Sequence, residues 1–437
     1  MAKPGIWLII SLVFVCLVTA FLWLGKTPFT AVETSGPDLS SPQTAQPTDP
    51  EPVGEPDDED DEVALNDTGT NDSPPSGDSP PMDESLPLAE DPGDPAQPEA
   101  LYPETLTDLF LMNAGPLELP VEGATGWAGT AMPLYSEADT ESRIMTDFDA
   151  GQVFVILKEQ GDWWYVNSSG GETGWVGHAG CLINLPDVIT SIAYNITNAY
   201  SARTRSSGYA IPGVTGTKLY DAFAYNPRLY RYEFIVPALY STSKLICAAQ
   251  QHALKAGDTI IIYEAYRAHA SQMRSLNLLR ELIENNAAVD EAINAGPWNI
   301  SWFMATTISN HQRGASVDAG LGKILSYEII RVGEVFFASN VTYEEYDMPT
   351  DMHELSPLAI SLTTPVPSSD RDAWREIPDA ATMTPGAVLL RSYFDKAKLT
   401  PIASEWWHFN DIDGVEAAKE LDIAGVFFID EILSVLP

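Results

Sequence analysis

The sequence predicts an α+β domain, preceded by a small all-β barrel, a disordered acidic linker and an N-terminal transmembrane helix. Three observations lead to this prediction: a long apolar run near the start, a proline-rich and acidic stretch after it, and then short β-branched and aromatic segments that give way to mixed helix and strand patterns. At 437 residues the chain is long enough for two or three domains that each bury a core.

Residues 1–26 are predicted to be a membrane anchor or a signal. Lys3 precedes an uncharged apolar run from Ile6 to Leu24, and about 20 such residues can span the hydrocarbon core of a bilayer. A cleaved signal peptide is the alternative, because Val18-Thr19-Ala20 offers the small residues of a cleavage site. The expected location is the cell membrane, with a single pass and the folded domains extracellular, or secretion if the signal is cleaved.

Residues 27–120 are predicted to be a disordered linker. Residues 27–100 contain 20 acidic side chains and no Lys or Arg, and they are rich in proline. Such a segment repels itself and cannot bury enough apolar surface to offset its ordering entropy. It is expected to be extended and to hold the folded part away from the membrane.

The folded part is predicted to be acidic. Outside residues 27–100 and the two N-terminal lysines, 42 acidic side chains remain against 21 basic ones. Nothing resembles the basic stripe of a nucleic-acid-binding protein, so no nucleic-acid partner is expected. The cysteines Cys16, Cys181 and Cys247 are too few and too distant for a disulfide framework, and each is predicted to act as a small buried hydrophobic residue.

Residues 121–185 are predicted to form the small barrel. Short strands are expected at residues 153–157, 163–166 and 174–176, with turn residues between them. The stretch resembles a bacterial Src-homology-3-like domain, on the basis of Met132-Pro133-Leu134-Tyr135, Gly161-Asp162-Trp163-Trp164-Tyr165-Val166 and Gly174-Trp175-Val176. This resemblance implies a module that binds the cell wall or packs beside a catalytic domain. Its tryptophans fit either a barrel core or a binding groove.

Residues 186–437 are predicted to form the α+β domain. Helices are expected at residues 245–256, 271–285 and 386–398, because apolar side chains recur on one face. Strands are expected at residues 259–263 and 403–409. The absence of a regular βα repeat argues against a doubly wound sheet.

Two segments of this domain contain candidate metal ligands. His311 and Asp318 lie seven residues apart, on either side of a turn predicted at Gly314, and His408 follows much later. Two imidazoles and a carboxylate are what a catalytic zinc ion takes, with one position left open. The sequence therefore predicts a zinc site formed by His311, Asp318 and His408.

Glu405 is the predicted base of this site. It lies three residues before His408, and a carboxylate beside a metal-activated water is the usual general acid/base of such a centre. On a regular strand this spacing would place Glu405 and His408 on opposite faces. The backbone must therefore bend between them, or the strand must end there.

The two segments resemble the zinc D-alanyl-D-alanine peptidase family, most closely the vancomycin-resistance type D-Ala-D-Ala dipeptidases. The Ser-x-His-x-x-Gly-x-x-x-Asp motif of the family is matched by residues 309–318, and its Glu-Trp-Trp-His motif by residues 405–408. A third element, Tyr-Arg-Pro, is matched in part by Tyr266-Arg267-Ala268. The resemblance covers roughly residues 190–412.

This resemblance implies one Zn²⁺ per chain, with His311, Asp318 and His408 as ligands and Glu405 as general acid/base. It also implies that Arg267 steadies the scissile carbonyl as it becomes an oxyanion, which is a known role for a fixed guanidinium. Ala268 stands where the family has proline.

The implied activity is hydrolysis of D-alanyl-D-alanine in cell-wall peptidoglycan metabolism. The resemblance favours the free dipeptide as substrate, whereas an extracellular location favours a D,D-carboxypeptidase that trims peptidoglycan stem peptides. A hypothesis of another class is a non-catalytic cell-wall-binding protein in which the barrel does the binding. The expected partners are therefore a D-Ala-D-Ala or stem peptide, the cell wall through the barrel, and the membrane through the N-terminal helix.

Overall fold

A computed structural model describes residues 102–113 and 115–436. The helices are α1 (Leu106–Met112), α2 (Leu185–Val188), α3 (Thr197–Tyr200), α4 (Tyr240–Leu254), α5 (His269–Asn285), α6 (Ala287–Ile293), α7 (Ile300–Phe303), α8 (Pro385–Lys396) and α9 (Ile412–Glu420). The strands are β1 (Thr125–Ala128), β2 (Met132–Tyr135), β3 (Ile144–Phe148), β4 (Val153–Gln160), β5 (Trp163–Ser168), β6 (Thr173–Gly177), β7 (Cys181–Asn184), β8 (Ala193–Tyr194), β9 (Arg205–Ser206), β10 (Tyr209–Ala210), β11 (Phe223–Asn226), β12 (Arg231–Phe234), β13 (Pro237–Leu239), β14 (Asp258–Glu264), β15 (Ser316–Val332), β16 (Val335–Glu345), β17 (Thr400–Pro401) and β18 (His408–Asn410).

The region predicted to be a barrel is all-β and supplies seven strands of an eight-stranded sheet, in the order β13-β7-β1-β4-β5-β6-β2-β3. The three strands predicted in this region lie within β4, β5 and β6. Side chains alternate along β5, so that Trp164 is fully buried whereas Trp163 is only half-buried. Trp163 packs edge-on against Tyr135, with 5.4 Å between ring centroids. Trp164 therefore belongs to the core, while Trp163 and the half-buried Trp175 line the surface.

One strand from beyond the predicted barrel boundary extends this sheet. β13 pairs with β7, with Leu239 opposite Leu182. α4 follows directly, and the Tyr240 hydroxyl donates to Glu159 of β4 at 2.6 Å. The barrel and the region after it share one continuous hydrophobic core. The boundary predicted between residues 185 and 186 therefore does not separate two independent cores.

The predicted linker extends too far toward the C-terminus. Residues 106–112 form α1, whose start is capped by reciprocal hydrogen bonds between Thr105 and Asp108. Leu106 and Leu109 pack against Phe336 of β16. These leucines provide the apolar surface that the preceding acidic stretch lacks, so the end of the range 27–120 is folded. Residues 27–101 lie outside the described part of the chain.

A second sheet has the order β17-β18-β15-β14-β8, with β16 paired to β15. The predicted helices of this region correspond to α4, α5 and α8, and the strand predicted at residues 259–263 lies within β14. Helix α8 packs on the sheet, with the ring of Phe394 stacked 4.1 Å from that of Phe409. Helices packed on a mainly antiparallel sheet give the predicted α+β arrangement. The long β15–β16 ribbon, which turns at Gly333, was not predicted.

This sheet sets side chains from three strands in one row. Asp318 of β15 lies opposite Glu264 at the end of β14 and opposite His408 at the start of β18. Directly opposed residues of antiparallel strands point to the same face. The strand register therefore brings two carboxylates and an imidazole together.

Within the described residues, no helix has both the length and the apolar character that spanning a membrane requires. The predicted anchor, residues 1–26 with Cys16, lies outside that part of the chain. Cys181 and Cys247 are buried free thiols, as predicted.

Candidate metal centre

The three predicted ligands come from a short turn and two adjacent strands. His311 lies in a 3₁₀ turn that ends at Gly314, whose φ of 67° is left-handed. A Cβ added at Gly314 would lie 2.5 Å from a methyl group of Leu182, so this position needs glycine. The turn predicted at Gly314 is present, and it returns the chain into β15, where Asp318 lies beside His408.

The ligand atoms of these residues lie within contact distance of one another. Asp318 Oδ1 is 2.9 Å from His408 Nδ1, and Asp318 Oδ2 is 3.3 Å from His311 Nε2. His311 Nε2 and His408 Nδ1 are 3.1 Å apart. All three side chains are buried. The structure thus brings together the three residues that the sequence predicts as a set.

Hydrogen bonds on the outer side of each ring determine which nitrogen carries a lone pair. His311 Nδ1 donates to the carbonyl oxygen of Ala265 at 2.7 Å, which leaves Nε2 unprotonated. His408 Nε2 donates at 3.0 Å to Asn410 Oδ1, which also accepts from Asn310 at 2.8 Å. Both lone pairs therefore face the Asp318 carboxylate. Outer bonds of this kind orient imidazoles that bind metal.

The cluster contains the negative charge of Asp318 and two imidazole lone pairs, and none of its three ligand atoms carries a hydrogen. A proton or a cation between these atoms would therefore stabilise the cluster. Burial opposes the charge of Asp318, but the histidines around it hold its pKa well below the usual range. Burial also disfavours a charged His408, yet a proton added at its Nδ1 would be hydrogen-bonded to Asp318, and this raises the pKa of that imidazole. Two nitrogens and one carboxylate oxygen are a donor set that suits zinc, so the residues fit the predicted metal.

Glu405 reaches the cluster because the chain turns before β18. The strand predicted at residues 403–409 is shorter than expected, since residues 406–407 form a turn. The required bend is present, and Glu405 Oε2 lies 3.8 Å from His408 Nδ1. Burial raises the pKa of Glu405 to about 8. A carboxyl with such a pKa can both take up and release a proton near neutral pH, as a general acid/base must.

Arg267 is fixed beside the cluster by polar partners. Its Nε donates to Glu264 at 2.8 Å, and its Nη1 donates to Gln272 at 2.7 Å. Its Nη2 contacts Glu264 again and lies 3.5 Å from Asp318 Oδ2. Burial opposes the charge of Arg267, but these two carboxylates raise its pKa. The guanidinium is thus a permanent, oriented positive charge beside the ligands.

Two residues of this region were not predicted as part of the site. Glu264 anchors Arg267. The available signal was a charged residue at the end of a strand whose centre, residues 260–262, is apolar. His353 is buried, and its Nε2 lies 3.1 Å from Asp318 Oδ2. His269 lies farther out, where its Nδ1 accepts a bond from Gln312 at 2.6 Å.

A cavity of about 390 Å³ opens onto the cluster, and all five predicted site residues line it. Trp407 contributes to its wall, whereas Trp406 is buried beside it and donates to Thr350 at 3.0 Å. The only acidic side chains that the described residues contribute to the lining are Asp318 and Glu405. Other lining residues include His353, Asn198, Gln272, Ser301, Trp302, Phe303, Met304, Ile308, Ser309, Val366 and Ser368.

Comparison with known families identifies the barrel. Residues 129–182 match the bacterial SH3 domain. The match covers β2 to β6 and the start of β7, and it ends before β13 adds its strand. The match supports the SH3-like part of the chain. No curated protein matches the chain.

Proposed function

We propose that this chain is a zinc-dependent peptidase that hydrolyses D-alanyl-D-alanine in peptidoglycan metabolism. The observation that carries the proposal is the convergence of two imidazole lone pairs and the Asp318 carboxylate beside Glu405, inside a cavity. A zinc ion bound there would acidify water and polarise a carbonyl group. We propose D-alanyl-D-alanine as the substrate because the motifs at residues 309–318 and 405–408 resemble those of the D-alanyl-D-alanine peptidase family.

Each remaining group has a role that follows from its position. A carboxylate oxygen of Glu405 accepts a proton from the attacking water and then donates it to the leaving amine. The guanidinium of Arg267 stabilises the negative charge that develops on the scissile carbonyl oxygen. Buried Trp407 excludes water, which strengthens both interactions.

Among substrates of this class, an acylated peptide fits the cavity better than the free dipeptide. The free dipeptide carries an α-ammonium, and a desolvated ammonium needs a carboxylate partner. Asp318 and Glu405 are committed at the cluster, and the described residues contribute no other carboxylate to the lining. An amide N–H needs only one neutral acceptor. Neutral side chains with hydroxyl oxygens line the cavity, among them Ser301, Ser309 and Ser368.

The proposal therefore favours D,D-carboxypeptidase action on stem peptides over dipeptidase action. It places the enzyme outside the cell membrane, in line with the apolar N-terminal run and the SH3-like barrel. Stem peptides, the cell wall and the membrane are its proposed partners.

The test compares two substrates on the purified full-length protein. Zinc content and release of D-alanine are measured with D-Ala-D-Ala and with an N-acylated peptide ending in D-Ala-D-Ala. The expected result is about one zinc per chain and faster release from the acylated peptide. Faster release from the free dipeptide would favour the dipeptidase. Bound zinc without release from either substrate would contradict an enzymatic function and favour the non-catalytic wall-binding protein.

A further inference from the structure

His353 is held beside Asp318 in an unfavourable backbone conformation. Its φ is 62°, in the left-handed region that residues with a Cβ rarely adopt. The residue is only 3% exposed, and its backbone carbonyl accepts a bond from the N–H of Arg205 at 3.1 Å. Such strain persists where neighbouring contacts determine the conformation, and it is common in functional sites.

The ring of His353 directs an N–H at Asp318. Its Nε2 lies 3.1 Å from Asp318 Oδ2, and a carboxylate only accepts, so Nε2 carries the hydrogen. Its Nδ1 lies 3.4 Å from the hydroxyl of Thr197, which can donate to it. The ring also packs edge-on against Trp407, with 5.9 Å between centroids. The orientation of the imidazole is therefore defined on three sides.

This contact fixes one of the two carboxylate oxygens of Asp318, both of which face the ligand cluster. Asp318 Oδ2 contacts His353, lies 3.5 Å from Arg267 Nη2 and lies 3.3 Å from His311 Nε2. Asp318 Oδ1 lies 2.9 Å from His408 Nδ1. A carboxylate held through one oxygen cannot rotate freely about its Cβ–Cγ bond. The position of Oδ1 thus depends on the N–H of His353.

We propose that His353 is a positioning residue, which fixes the Asp318 carboxylate in the orientation that binds the metal. The inference rests on the proposed function, because it requires a cation at His311, Asp318 and His408. His353 acts through Asp318. Removal of a hydrogen-bond partner of a metal ligand typically weakens metal affinity about 10–100-fold.

The test measures metal binding to the full-length protein, with zinc for affinity and cobalt(II) for its visible absorption spectrum. His353→Ala is expected to raise the zinc Kd about 10–100-fold and to change the cobalt spectrum. His353→Gln, whose side-chain N–H can reach the same oxygen, should restore most of the affinity. His252→Ala in α4 is the control and should bind both metals like the wild type.

A second variant distinguishes a loss of metal binding from a folding defect. Glycine at position 353 adopts a positive φ without strain, so His353→Gly should fold. It lacks the imidazole N–H that faces Asp318, so its zinc affinity should be as low as that of His353→Ala. Wild-type zinc affinity and cobalt spectrum in both His353→Ala and His353→Gly would overturn the inference, even if the melting temperature of the metal-free protein fell. A wild-type protein that binds no zinc would instead contradict the proposed function.

Discussion

Asp318 belongs to two clusters of side chains that balance its charge in different ways. The open cluster consists of His311, Asp318 and His408. The filled cluster consists of Glu264, Asp318 and His353, with Arg267 in contact with both carboxylates. Each cluster brings three possible metal ligands within reach of one another, so proximity alone does not tell them apart.

The two clusters differ in the hydrogen-bond donors that are directed at their carboxylates. Glu264 accepts bonds from Arg267, from Asn198 at 2.5 Å and from Tyr220 at 3.3 Å. The guanidinium supplies the positive charge that the filled cluster needs. In the open cluster the ring hydrogens of His311 and His408 point outward. Of the two clusters, only the open one combines a buried carboxylate with two imidazole lone pairs, and this combination favours a bound cation.

The largest expected effect is the loss of metal from the open cluster in Asp318→Asn. The neutral amide removes the only negative charge of that cluster, so zinc should fall from about one per chain to near zero and D-alanine release should fall to background. Metal analysis after dialysis measures this. Asp379→Asn, at a half-exposed pair with Arg391, is the control and should retain zinc. A zinc-bound Asp318→Asn would show that Asp318 serves the filled cluster alone.

Glu405→Gln should separate proton transfer from metal binding. The amide cannot accept the proton, so D-alanine release should fall about 10²–10⁴-fold, while the zinc content stays at that of the wild type because the three ligands are intact. Steady-state kinetics and metal analysis on the same preparation check both parts. Unchanged turnover would remove Glu405 from the mechanism.

Glu264→Gln tests the filled cluster. It leaves the buried guanidinium of Arg267 with less compensating charge, and breaking a buried ion pair costs about 3–5 kcal/mol. Denaturant unfolding should show that the unfolding free energy falls by about this amount, while zinc remains bound. Asp413→Asn, at the exposed pair with Arg371, should change it by less than about 1 kcal/mol. Equal effects of both variants would contradict the distinction between the clusters.

The open cluster could be predicted from the sequence, whereas the filled cluster could not. His311, Asp318 and His408 lie in motifs with definite spacing, and the spacing of Glu405 required the bend that the structure contains. Glu264 meets Asp318 only through the register of β14 on β15, which includes an irregularity after Ile262. No local pattern encodes such a register.

The same dependence on distant partners explains the errors in the predicted fold. The amphipathic helices and the aromatic barrel strands carry their own periodic signals, and they were predicted close to their positions. β13 has only three residues, and α1 only seven. Such short elements are stable because of the partners they pack against, which lie far away in the sequence: β7 for β13 and β16 for α1.

The smallest expected effect concerns Glu118, a buried carboxylate with neutral partners only. It accepts bonds from Thr190 and Ser191. Burial outweighs these bonds and raises the pKa of Glu118 to about 6, whereas the histidines around Asp318 lower the pKa of that carboxyl. Because the pKa of Glu118 is raised in the folded state, its stabilising contribution is complete below the unfolded pKa near 4.5 and is lost as pH rises through 6. Unfolding free energy should therefore fall by about 2 kcal/mol across this window. Glu118→Gln should remove this pH dependence; the same slope in that variant would assign it to another group.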